Sequence, residues 1–87
     1  MKVTTSKQLS TYLKDIRVTQ KLSQGKVARK VGLRQDTVSS FERRPDSTKL
    51  ETFFKLLSAL NLELDIKPRN LHLLQTRDGR KTGNGST

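Results

Sequence analysis

The stretch LSQGKVARKVGLRQDTVSSFE, Leu22 to Glu42, sets two short apolar rhythms around one glycine and spreads basic residues through both. Val27, Ala28 and Val31 recur at helical spacing over 24–31, and Ser23 stands where an N-cap acceptor is needed. Gly32 follows the last of them, at the left-handed position that ends a helix and that glycine tolerates best. Val38 and Phe41 then form the buried pair of another helix over 35–43. Counted from Gln24, the fifth residue must be small because the second helix crosses close by, and it is Ala28. The ninth, in the turn, is Gly32, and the fifteenth and eighteenth, which lock the second helix onto the first, are Val38 and Phe41. Two short helices joined by such a turn are the helix-turn-helix pattern.

The charge around this pattern points the same way. The 87 residues carry 18 Lys and Arg against 8 Asp and Glu, a net charge of +10, which is the footprint of a nucleic-acid binder. From Ile16 to Gln35 there is no acid, while Arg17, Lys21, Lys26, Arg29, Lys30 and Arg34 all fall in that window. RNA is the weaker polyanion, because Tyr12 and the three phenylalanines fall on faces expected to be buried and leave no stacking platform.

On the N-terminal side, Leu9, Tyr12, Leu13 and Ile16 make one apolar stripe of a helix over 6–21, capped by Thr5 or Ser6. On the C-terminal side, the turn Pro45-Asp46-Ser47 leads into Thr48-Lys49-Leu50-Glu51, which matches the S/T-x-x-E capping box. It predicts a helix over 49–60 with Leu50, Phe53, Phe54, Leu56, Leu57 and Leu60 as a broad apolar face. Leu62, Leu64 and Ile66 then alternate with charged residues, a strand signal with no second strand in the chain to pair with. The same strand of a second copy is the simplest partner, giving a two-fold ribbon. The expected architecture is therefore all-α, a bundle of four to five helices with a short C-terminal strand pairing across a homodimer through Leu62, Leu64 and Ile66. Residues 1–67 are expected to form the DNA-binding and dimerisation domain, and 68–87, polar and glycine-containing, a disordered tail.

What is absent narrows the function further. There is no cysteine, which favours a reducing cytoplasm for a chain this small. The N-terminus lacks the apolar run of a signal peptide, and no segment is long and apolar enough to span a membrane. One histidine, His72, and no glycine-rich phosphate loop or carboxylate pair leave no catalytic constellation, no metal site and no cofactor to expect.

The residues LSQ (22–24), Ala28, Gly32, Leu33, Thr37, Val38, Ser39, Glu42 and LETFFKLLSALNLEL (50–64) resemble the Xre family of lambda-repressor-like helix-turn-helix repressors, over about 9–66. Within it, the run from Phe41 to Leu57 looks most like the antitoxins that pair with HipA-type toxins. The resemblance implies docking of the second motif helix in the major groove, with Arg34, Gln35, Asp36, Ser39 and Ser40 toward base edges. Arg34 suits guanine and Gln35 adenine. Asp36 either accepts from cytosine or pairs with Arg34 or Lys30. Gln24 matches the family's phosphate-clamping glutamine, and Lys26, Thr37, Arg43, Arg44 and Arg17 are expected at the phosphates. Glu42 is expected to pair with a base such as Arg17 and orient it. The implied partners are double-stranded operator DNA, a second copy, and a HipA-like serine/threonine kinase toxin. The implied place is the bacterial cytoplasm, on the nucleoid. The alternative is a stand-alone or phage-type regulator with no toxin.

Overall fold

Residues 2–69 are described by a computed structural model of the chain. They form four helices, α1 Ser6–Thr19, α2 Gln24–Lys30, α3 Gln35–Arg43 and α4 Leu50–Ala59, with a 3-10 turn at Pro45–Ser47 between α3 and α4. The expected tail lies, from residue 70 onward, outside the described residues.

One core holds the helices. Leu13 of α1, Val27 and Ala28 of α2, Val38 and Phe41 of α3, and Phe53, Leu56, Leu57, Ala59 and Leu60 in and after α4 are all buried. The small residue and the two locking residues of the motif thus lie inside. Phe41 and Phe53 meet at 6.4 Å between ring centroids, which joins α3 to α4. Burying side chains of this size contributes on the order of 1.5–3 kcal/mol each, so this core sets how α3 is presented.

Three helices end by the same device. Lys21, Gly32 and Asn61 adopt left-handed backbone, with φ of 60°, 70° and 61°. The next residue's N–H then reaches back to a carbonyl in the last turn: Leu22 to Arg17 at 3.1 Å, Leu33 to Ala28 at 2.8 Å and Leu62 to Leu57 at 2.8 Å. Each leucine packs on the core rim, as the Schellman motif requires. Nothing lies within 4 Å of a Cβ built on Gly32, so it is conformation and not space that calls for glycine there. Lysine at position 21 adopts this backbone against a preference of roughly 1–2 kcal/mol. Lys21→Gly is expected to stabilise the domain by about 0.5–1 kcal/mol, seen as a higher urea midpoint, with Asn61→Gly giving less. An unchanged or lower midpoint for Lys21→Gly would mean that the flexibility added to the unfolded chain outweighs the relief.

The structure departs from the sequence expectations in three places. First, α1 stops at Thr19 because Lys21 turns left-handed. Second, the capping box does not form: α4 starts after Lys49, with no side-chain cap. Pro45 opens a 3-10 turn in which the Thr48 N–H bonds the Pro45 carbonyl at 3.0 Å, so Thr48 closes that turn and does not cap α4. Third, Tyr12 is 37% exposed, and Leu50 and Phe54 are 73% and 49% exposed, so the stripes of α1 and α4 are wider than the core. Among the described residues 62–66 form no strand within one copy; the ladder expected for them is with a second copy. Leu62 is half-buried, while Leu64 and Ile66 are exposed.

Candidate nucleic-acid interface

The presentation of α3 rests on a part-buried ion pair. Glu42, in its last turn, receives Arg17 Nε on Oε2 at 2.6 Å and Arg17 Nη2 on Oε1 at 3.1 Å. Their side chains are only 6% and 12% exposed. Arg17 Nη1 also donates to the Leu22 carbonyl at 2.8 Å, and Gln24 Nε2 donates to Glu42 Oε1 at 2.9 Å. This ion pair therefore ties together the end of α1, the turn at residue 22, the first residue of α2 and the end of α3. The bidentate fork fixes both angle and distance, so the bracket aims α3 relative to α2. Arg17 pairs with Glu42 as expected, but its guanidinium is turned inward, with each of its three nitrogens donating one hydrogen bond. The geometry therefore disfavours its expected place at a phosphate.

The start of α2 is formed by Ser23, whose hydroxyl accepts from the Lys26 N–H at 3.0 Å. Gln24, with its amide on Glu42, is half-buried at the surface, and Lys26, Arg29 and Lys30 are exposed on the same helix. A Cβ at Gly25 would lie 3.5 Å from Gln35 Oε1 and 3.4 Å from Arg29 Nη1. The carboxamide of Gln35 thus leans back on the bare first turn of α2.

The outward edge of α3 is polar along its whole length. Arg34, Gln35 and Asp36 are exposed at its start, and Thr37, Ser39 and Ser40 are half-buried behind them. Arg34 Nη2 lies 3.3 Å from Asp36 Oδ2, with both side chains above four-fifths exposed. At the other end Arg43 Nε donates to the Ser39 carbonyl at 3.4 Å, and Arg44 is exposed. The structure thus brings Arg34, Gln35, Asp36, Thr37, Ser39 and Ser40 onto one helix, with the cations of α2 and of the end of α3 beside it.

A groove of about 400 Å³ adjoins this edge, lined by Arg34, Asp36, Thr37 and Ser40 and also by Ser47, Thr48, Lys49 and Thr52. Sequence reasoning missed the last four. Their signal is the run of hydroxyls and one lysine between Ser47 and Thr52, read above only as a turn and a cap. No side chain caps α4, and Thr48, Lys49 and Thr52 at its start line this groove. Among the described residues no group of His, Cys, Asp and Glu could hold a metal ion, and no helix is long and apolar enough to cross a membrane.

Comparison with known proteins adds to this geometry. The helix-turn-helix family model HTH_3 matches residues 13–67, well over half of the chain. The chain is 38% identical over 65 residues to the antitoxin HipB of Escherichia coli K12, which spans 75% of this chain and 74% of that protein. Among solved structures, it is similar to a chain of the HipA–HipB–O2–O3 complex, with a TM-score of 0.79 and 36% identity over 80% of this chain and 99% of that one. It is equally similar, on the same measures, to a chain of a HipB–O4 20mer complex.

Proposed function

The chain belongs to the HTH_3 helix-turn-helix family, and from that premise we propose that it is a sequence-specific DNA-binding repressor. It acts as a homodimer, as the antitoxin of a HipA-like serine/threonine kinase toxin, and it represses its own operon in the bacterial cytoplasm, on the nucleoid. The observation that carries this is the polar edge of α3, braced from within by the Arg17–Glu42–Gln24 bracket and flanked by exposed cations. The antitoxin role is supported by 38% identity to HipB across three quarters of this chain and by the likeness to HipB bound beside HipA.

In this assignment residues 1–67 are the DNA-binding and dimerisation domain. Arg34, Gln35, Ser39 and Ser40 face base edges, where Gln35 reads adenine and the hydroxyls donate or accept. Gln24, Lys26, Thr37, Arg43 and Arg44 face phosphates, joined by Lys49 across the groove. Arg17 acts inside the bracket. One α3 reads only a few base pairs, so a two-fold operator needs two copies. Leu62, Leu64 and Ile66, with the exposed Leu50 and Phe54, supply the apolar surface for that pairing.

The test is binding of the full chain to the DNA directly upstream of its own coding region, against a shuffled copy, at about 0.15 M salt, where sequence-blind binding is weak. A preference of about a thousandfold or more is expected, with a further gain when a HipA-type kinase is added. Equal weak binding to both duplexes would refute autorepression, and a specific complex that the kinase never joins would leave a stand-alone regulator.

A further inference from the structure

The edge that faces DNA carries an acid where an acid is unfavourable. Asp36 is the only Asp or Glu between Ile16 and Phe41. Its side chain is 85% exposed, so packing does not require it. Its pairing with Arg34, 83% exposed, contributes little to stability in water. Against a polyanion, an exposed carboxylate opposes association at every sequence alike. Neither packing nor DNA affinity accounts for this residue.

We propose that Asp36 is a positioning residue for base recognition: it holds the Arg34 guanidinium along the leading edge of α3, so that Arg34 reads a guanine instead of a phosphate. The inference rests on the DNA-binding function above. Arg34 is the residue just before α3, with extended backbone and no side-chain bond to the helix start, so among the described residues Asp36 is the one hydrogen-bonding partner of its long side chain. A guanidinium fork matches a phosphate as well as it matches the O6 and N7 of guanine. Left free, it is drawn to the phosphates, which carry most of the attraction and none of the sequence. Asp36 Oδ2 engages Nη2 at 3.3 Å and leaves the rest of the fork for two parallel bonds to one base. The same carboxylate repels a phosphate approaching that fork. The pair is weak in water, but it strengthens once DNA closes over it and the local dielectric falls. An acid in the first turn also suits the dipole of α3, but that effect does not depend on which base is opposite.

The experiment uses the full chain and a randomised duplex library to select the preferred site. Wild type, Asp36→Asn, Arg34→Ala and the double variant are then measured on the selected duplex, on each of its single-base-pair variants and on a random duplex. Asp36→Asn is expected to bind the random duplex several-fold tighter, having lost a repulsive charge. Its discrimination is expected to fall about tenfold at one guanine position. That position is the one Arg34→Ala also relaxes, and the double variant relaxes it no further than Arg34→Ala alone. Wild-type discrimination in Asp36→Asn overturns the proposal. So does a loss confined to a different, cytosine-bearing position, which would make Asp36 itself the reader of cytosine N4. A wild type that selects no duplex at all refutes the DNA-reading function itself, a distinct result. Thermal unfolding of Asp36→Asn is expected to show at most a small drop in midpoint, from the lost first-turn charge, because the exchange is nearly isosteric and exposed.

Discussion

Glu42→Ala is expected to lower the unfolding free energy by about 3–5 kcal/mol, a large share of the 5–15 kcal/mol or so typical of a folded domain. The loss comes from what remains after the carboxylate goes. Arg17, 12% exposed at its side chain, becomes a buried cation with no counter-charge, and the Gln24 amide loses its acceptor. Taking away one member of such a pair leaves its desolvation uncompensated, whereas replacing both by apolar groups is often close to neutral. Arg17→Met combined with Glu42→Leu is therefore expected to recover most of the stability in urea unfolding followed by circular dichroism. Operator affinity is not expected to recover with it. The paired replacement restores volume but not the bonds that set the angle between α2 and α3, and the Gln24 amide still lacks its acceptor. Stability and recognition thus separate in one pair of variants. A loss below about 1 kcal/mol for Glu42→Ala would show that the bracket is a surface feature, and full recovery of binding in the double variant would show that it does not aim α3.

The helix-turn-helix was open to sequence reasoning because its signals are local. Ala28, Gly32, Val38 and Phe41 lie within 18 positions of Gln24, and each answers a steric demand set by the crossing of two adjacent helices. The bracket is another matter. Arg17 and Glu42 are 25 residues apart, and only the resemblance to a family suggested their pairing. No rule of spacing indicated that Gln24 would share the same carboxylate or that Arg17 would turn inward. The capping box failed for the opposite reason. Its four residues satisfy the pattern, but Pro45 starts a 3-10 turn that claims Thr48 first. The groove-lining residues Ser47 to Thr52 escaped notice because their importance depends on α3 lying beside them, which no local pattern encodes.

Ile66→Asp together with Leu64→Asp is expected to convert the protein to a monomer and to weaken operator binding by about 10²–10⁴-fold, while sequence-blind DNA binding falls far less. The exposed apolar surface makes the case. Leu50 is 73% exposed, Phe54 49%, Leu64 47% and Ile66 84%. Leu50 and Phe54 are one turn apart on α4, Phe54 and Leu64 line one groove, and Leu64 and Ile66 share one face of the alternating segment. The backbone of that segment also lacks partners, since after Leu62 bonds to Leu57 no backbone hydrogen bond reaches 63–67 among the described residues. A second copy answers both needs with one surface, because a two-fold ribbon supplies ladder bonds and covers the leucine and isoleucine together. Each buried side chain counts twice across the axis, at about 1.5–3 kcal/mol apiece, so losing Ile66 alone removes several kcal/mol of association and an aspartate in its place adds an unpaired buried charge. Val18→Asp is the control, since Val18 is 57% exposed but lies on α1, and it is expected to leave the dimer intact. Sedimentation of the three proteins decides the matter. If the Leu64 and Ile66 variant stays dimeric and Val18→Asp does not, the interface lies on α1, and residues 62–66 must find their hydrogen-bond partners in something other than a second copy of themselves.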